Sequence, residues 1–207
     1  MGLKLSYTLL APVYDAIVAS STQAMRISSL ERLDITAPQN ILINGIGTGL
    51  DIPFLPKQHN YTATDLTPAM LDKCKTRLSQ HNLQLNLHNA DVMQLPFDDN
   101  QFDIVLMNLI LAVVPKPSQA LKEASRVVKP GGKIFIMDKF IKPGQLALSR
   151  RLLNILMRHI ATRTDVVFEH LLDHCPDLKL VEDKPVLMSG WFRLIDLEKT
   201  NMDKASS

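Results

Sequence analysis

Gly45, Gly47 and Gly49 alternate at the end of the apolar run Ile41-Leu42-Ile43, and this stretch carries the first chemistry legible in the sequence. A short apolar run bounded by glycine reads as a buried strand of a parallel sheet. Its glycines let the backbone turn sharply and approach a ligand with no Cβ in the way, although a tight turn without a ligand has the same composition. Spacing narrows the ligand: G-x-G-x-x-G seats a pyrophosphate on a helix N-terminus, whereas this chain has G-x-G-x-G. The second group is Asp65, which closes the run Tyr61-Thr62-Ala63-Thr64 about twenty residues after Gly45. A carboxylate at the C-terminal tip of a strand can accept both ribose hydroxyls of an adenosine, with Leu66 and Met70 packing on its base. Thr67 and Pro68 read as the cap and first residue of a helix, and capping is the other reading of Asp65. In parallel sheets ligands bind beyond the carboxyl ends of the strands, so Asn108, Leu109, Ile110 and Leu111, at the exit of the run Phe102 to Met107, are predicted to line the reaction site.

In order along the chain these motifs resemble those of the class I S-adenosylmethionine-dependent methyltransferases, nearest to the members that act on quinones and phospholipids. The glycine run is similar to the family's first motif, Asp65-Leu66-Thr67-Pro68-Ala69-Met70-Leu71 to its ribose motif, and Asn89-Ala90-Asp91-Val92-Met93-Gln94-Leu95-Pro96-Phe97 to its adenine loop. Residues 123–138 resemble its fifth-strand hairpin, and Leu10-Ala11-Pro12-Val13-Tyr14-Asp15 its entry segment. The resemblance implies S-adenosylmethionine as cofactor, held by Gly45, Gly47, Gly49, Asp65 and Asp91. In that reading Asp91 accepts from the adenine amino group, Val92 touches the ring through its backbone, and Tyr14 reaches the methionine end. Taken alone, Asp91 also suits a turn and Tyr14 an apolar core. Two positions depart from the family. Ile43 stands where it carries Asp or Glu, with Asn44 beside it as the candidate replacement. Ala112 stands where quinone enzymes carry His, so the sequence assigns no catalytic residue.

The elements that must position these groups alternate. Five strand and helix alternations followed by a terminal hairpin predict an α/β fold: one doubly wound, Rossmann-like sheet of seven strands with a C-terminal antiparallel pair. One methyltransferase domain over residues 1–207 is expected, divided into an N-terminal helical cap (1–37), a cofactor-binding core (38–140), a helical lid or insertion (141–176) and hairpin strands (177–198). A helix is expected to open over Leu50 to Leu55. Residues 129–132 read as a turn before an apolar strand, and Asp138 at that strand's end either faces the site or makes a turn. Residues 145–163 form a broad leucine-rich arc opposite Arg150, Arg151 and Arg158. Such a helix can cover the sheet, close over an apolar substrate or lie on an anionic membrane.

A 207-residue chain with 46% hydrophobic and 21% charged residues suits one globular domain, and a net charge of +2 offers no basic field for nucleic acid. Cys74 and Cys175 form no C-x-x-C pair and read as buried reduced thiols. His170 and His174 stand one helical turn apart with no third ligand, so no metal is expected. No signal peptide or apolar span is legible. A cytoplasmic protein is expected, in contact with a membrane at most peripherally through residues 145–163. Residues 108–114 lack the N-P-P-Y signature of nucleic-acid and glutamine methylation. The expected function is methyl transfer to a small or lipophilic acceptor: a phospholipid amine, a quinone precursor or another metabolite. The rivals are an inert protein binding S-adenosylmethionine or S-adenosylhomocysteine, which Ile43 and Ala112 motivate, and an RNA or protein methyltransferase.

Overall fold

The computed structural model describes residues 22–141, 166–187 and 192–201. The expectations placed on Tyr14 and its entry segment, and on residues 145–163, lie outside the described residues. Seven strands form one sheet: β1 (Asn40–Asn44), β2 (Asn60–Asp65), β3 (Leu85–Asn89), β4 (Phe102–Asn108), β5 (Val128–Lys139), β6 (Leu178–Leu187) and β7 (Phe192–Lys199). Their order is β3-β2-β1-β4-β5-β7-β6. Strands β1 to β5 run parallel, and β7 pairs antiparallel with both β5 and β6. This is the expected doubly wound sheet with its terminal hairpin.

The described helices are α1 (residues 22–30), α2 (Pro68–Leu78), α3 (Pro117–Val127) and the short α4 (Phe168–Leu172). Side chains alternate across a strand, so a strand covered on both faces must be apolar at both parities. In β4, Val105 and Met107 pack with Leu121 and Ala124 of α3 and Phe168 of α4, while Ile104 and Leu106 join Leu30 of α1 and Leu71 of α2. The two faces are thereby sealed, and the strand tips are left as the place where a ligand can reach the sheet. Where α3 meets β7, the Lys199 ammonium donates to the Ser125 and Val128 carbonyls at 2.7 and 3.0 Å, satisfying groups that a helix end leaves unpaired.

Two local expectations are corrected. The helix expected to open over Leu50 to Leu55 is a single 3-10 turn, Ile52–Phe54. Pro53 contributes no N–H to continue it, and Pro56 disfavours helical geometry at Leu55, which is extended at φ −72 and ψ 127. The expected turn at residues 129–132 lies within β5, as an excursion where the register with β4 steps from Phe102↔Val128 to Ile104↔Lys133. Both cysteines are buried free thiols, and burial pushes each up to about 11.

The glycine turn is packed from below. Gly49 has φ +80, and a Cβ there would lie 2.6 Å from Ile52 Cδ1 and 2.9 Å from Cys74 Sγ. Left-handed backbone and a steric clash then act together, so Gly49→Ala is expected to lower stability by roughly 2–4 kcal/mol, read by urea unfolding. An unchanged unfolding midpoint would contradict this account of the turn.

Candidate active site

Four strand tips meet along one edge of the sheet: Asp91 follows β3, Asp65 ends β2, the glycine turn follows β1 and Asn108 ends β4. Between them lies a cavity of about 320 Å³. It is lined by nine of the residues singled out in the sequence: Gly45, Gly47, Asp65, Leu66, Met70, Asp91, Val92, Asn108 and Leu109. Gly49 and Asn44 are not in the lining. Gly49 packs into the core beneath it, and Asn44, 1% exposed, accepts from the Thr64 hydroxyl of β2 at 3.3 Å.

The Asp65 carboxylate is half-buried and already holds the turn that surrounds it. One oxygen accepts from the Gly47 N–H at 2.9 Å and the other from the Thr67 N–H at 2.8 Å. Burial raises its carboxyl above the ordinary range, and the two backbone donors oppose that rise. Thr67 itself makes no side-chain cap bond, and the acid at this tip holds the helix start through the cap residue's own N–H. Each ionised oxygen retains lone-pair capacity for a hydroxyl donor. The Asp91 carboxylate accepts from the Met93 N–H at 2.8 Å, an Asx turn that spans Val92, itself a lining residue. Leu66, 55% exposed, stands at the rim as an apolar side chain that lacks a protein partner surface.

Leu109 carries the local strain of the site. Its φ is +57, an uncommon conformation for a residue with a bulky side chain, and its N–H donates to the Met137 carbonyl at 2.7 Å. The chain thereby leaves β4 sharply, and Ile110, Val113, Val114 and Pro115 come to line the cavity beside Met93. Asp138, at the tip of β5 and fully buried, fixes this departure by accepting from the Ala112 N–H at 3.0 Å and from the Lys139 N–H at 2.7 Å. Its role is to hold the cavity wall, and sequence alone left it between site and turn.

Burial pushes the Asp138 carboxyl up to about 6 from an ordinary 3.8, the backbone donors opposing the shift. A carboxyl raised by folding binds its proton more tightly in the native chain than in the unfolded one. Its contribution to stability is complete below about pH 4 and is lost as pH rises through about 6. The stability of wild type relative to Asp138→Asn is therefore expected to be greater at about pH 5 than at about pH 7.5 in thermal unfolding. Asp103 and Glu123, whose carboxyls are held low by Lys129 and Arg126, titrate in both proteins and cancel.

Of the expected Asn108 to Leu111, Leu111 is buried outside the lining, and sequence reasoning missed Arg26, Asp51 and all of the apolar wall but Ile110. Arg26 lines the cavity from α1; its guanidinium donates to the buried Asp51 at 2.6 Å through Nη1 and to the Thr22 hydroxyl at 3.1 Å through Nε. The other Asp51 oxygen accepts from the Asn108 amide at 3.3 Å, and the Asn108 oxygen accepts from the Ser29 hydroxyl at 2.8 Å. Partners 25 and 57 residues apart leave no local signal. Among the described residues no cluster of His, Cys, Asp or Glu is arranged to hold a metal ion.

The family model described as "Methyltransferase domain" matches residues 42–136, the span from the glycine strand to β5. The phosphatidylethanolamine N-methyltransferase of Cereibacter sphaeroides is 27% identical over 162 residues, 77% of this chain and 79% of that protein. The demethylmenaquinone methyltransferase of Lactobacillus johnsonii is 34% identical over 142 residues, but the alignment spans only 58% of its length and 64% of this chain. Among solved structures, an S-adenosylmethionine-dependent methyltransferase of Methanosarcina mazei has a TM-score of 0.63 at 19% identity, covering 80% of this chain and 94% of that one. The cyclase SpnF has a TM-score of 0.76 at 15% identity, covering 95% and 94%. At such identities the likeness is one of fold, and it spans unlike chemistries. The family match over residues 42–136 and the sequence relatives support a class I S-adenosylmethionine-dependent methyltransferase. Its methyl donor is S-adenosylmethionine.

The cavity suits that donor. A Cβ on Gly47, which has φ +59 and lines the cavity, would meet no atom within 4 Å, so the turn exposes bare backbone at the strand tip. Acids stand at two neighbouring tips, and apolar side chains close the far wall.

Proposed function

We propose that this enzyme methylates a lipophilic acceptor, a phospholipid amine before a quinone precursor. The observation that carries the reading is the wall of Met93, Ile110, Val113, Val114 and Pro115, an apolar surface beside the strand tips. When bound, S-adenosylmethionine supplies a methyl group on an electrophilic sulfonium. The protein's own residues then have two tasks, to align the acceptor and to exclude water, and an apolar wall suits both. Asp65 and Asp91 are proposed to hold the adenosine, with Leu66 and Met70 against the base. Among the described lining residues there is no His, Lys, Cys or Tyr, and Ala112 is buried with its N–H committed to Asp138. An ammonium and a phenol both carry a proton at neutral pH, so with either acceptor that proton has to leave without one of these side chains as base. The preference for the amine lipid is supported by the relative acting on phosphatidylethanolamine, which aligns over 79% of its own length against 58% for the demethylmenaquinone methyltransferase of Lactobacillus johnsonii.

No helix among the described residues is long and apolar enough to cross a membrane. A phospholipid acceptor would be met at the membrane surface, and residues 145–163, leucine-rich with Arg150, Arg151 and Arg158, are the proposed contact. Residues 1–37 are proposed as a cap, supported by Arg26 of α1 reaching into the cavity. The test is incubation with S-adenosylmethionine and either phosphatidylethanolamine vesicles or a demethylated quinone precursor, followed by mass spectrometry. A mass gain of one or more methyl groups on the amine lipid is expected. Methylation of the quinone precursor alone, or of neither, overturns the reading.

A further inference from the structure

Strand order gives the cavity a direction. Asp91, Asp65, the glycine turn and Asn108 stand at the tips of β3, β2, β1 and β4, which are consecutive in the sheet. At about 4.8 Å between strands the row covers ~14 Å, the span of an adenosine extended by an amino-acid chain. Both lining acids lie at the β3–β2 end. Arg26 is the only cation among the described lining residues, and Asp51 and Asn108 tie it to the β4 end.

Arg26 is built into that position. Two of its three guanidinium nitrogens are engaged, by Asp51 and by the Thr22 hydroxyl, and Nη2 has no protein partner among the described residues. The support behind it continues inward: Asp51 to Asn108, Asn108 to Ser29, the Ser29 hydroxyl to Arg32 at 2.8 Å, and Arg32 to Asp196 of β7. Asp51, Asn108 and Ser29 are at most 6% exposed. Ile43, where related enzymes carry an acid, is 1% exposed in an apolar cluster with Leu30, Ile46 and Leu106, so it offers a charged ligand nothing.

We infer that Arg26 binds the carboxylate of the cofactor's amino-acid end through the free edge of its guanidinium. Asp51 is the positioning residue that aims it, so that α1, rather than the strand before the glycines, supplies the charged contact at this end. The inference rests on the cavity holding the nucleoside as described above. An arginine presents a planar fork matched to a carboxylate, and a preset fork loses little freedom on binding.

The test compares S-adenosylhomocysteine with 5′-methylthioadenosine, which has the nucleoside and the sulfur but no amino-acid carboxylate, by calorimetry. For Arg26→Gln the affinity for S-adenosylhomocysteine is expected to fall about 10- to 30-fold, and that for 5′-methylthioadenosine by less than about twofold. Arg26→Lys, which keeps the charge and loses the fork, is expected to fall between wild type and Gln in its preference for the carboxylate ligand. If Arg26→Gln weakens both ligands alike, or neither, Arg26 merely pins α1 and the inference is overturned. If that variant does not fold, the Lys variant decides, an unchanged preference overturning the inference. A wild type that binds neither ligand refutes the reading of the cavity itself.

Discussion

Asp65→Ala is expected to weaken S-adenosylhomocysteine binding by at least about 100-fold in calorimetry while the protein remains folded. Two effects of one carboxylate add. Its oxygens are the proposed acceptors for the ribose hydroxyls, and charge-assisted hydrogen bonds contribute about 1.5–3 kcal/mol each. The same oxygens hold the Gly47 and Thr67 N–H groups, so their removal also loosens the backbone on which the cofactor rests. Asp65→Asn retains one acceptor and should fall between alanine and wild type. A loss confined to thermal stability, with affinity unchanged, would show that Asp65 only caps the turn.

Gly47→Ala is the second large effect, and it separates binding from folding. The left-handed φ of +59 costs an alanine about 1–2 kcal/mol, but the added Cβ meets no protein atom within 4 Å. It enters open space at a position that lines the cavity instead. Affinity for S-adenosylhomocysteine is therefore expected to fall by about 100-fold with a modest loss of stability, since an interior site cannot yield to a misplaced methyl without forfeiting close contacts. Gly49→Ala, whose Cβ collides with Ile52 and Cys74, should show the opposite balance. Equal behaviour of the two variants would mean that the turn does not face a ligand.

What the sequence displayed of this site was what lies contiguous in the chain. Asp65 could be read because the strand, its terminal acid and the following helix start are neighbours, and one segment supplies both the carboxylate and the donors that fix it. Asp91 and Val92 came as site residues with the family resemblance, while Asp91 read alone suited the Asx turn that does close there, within three residues. The doubly wound sheet with its terminal antiparallel pair followed from alternation, and it is the fold observed. Arg26, Asp51 and Asn108 form one array from three separate elements, and only the tertiary fold brings them together. The alternation of side chains across a strand also explains why Asn44, adjacent to the glycines, turns to Thr64 rather than to the cavity. Asp138 could not be assigned without knowing that Ala112 would present its N–H to it, which depends on the left-handed step at Leu109. A bulky residue in that conformation is not legible from local propensity, because the fold enforces it against preference.

The claim on which the account depends is that the cofactor lies across consecutive strand tips in one direction. A crystal structure grown with S-adenosylhomocysteine tests it. The account predicts the ribose on Asp65, the adenine beside Asp91 and Val92, the sulfur over the turn at Gly45 to Gly49, and the amino-acid end toward Arg26. A nucleoside bound in the reverse direction, or with its ribose away from Asp65, would contradict it.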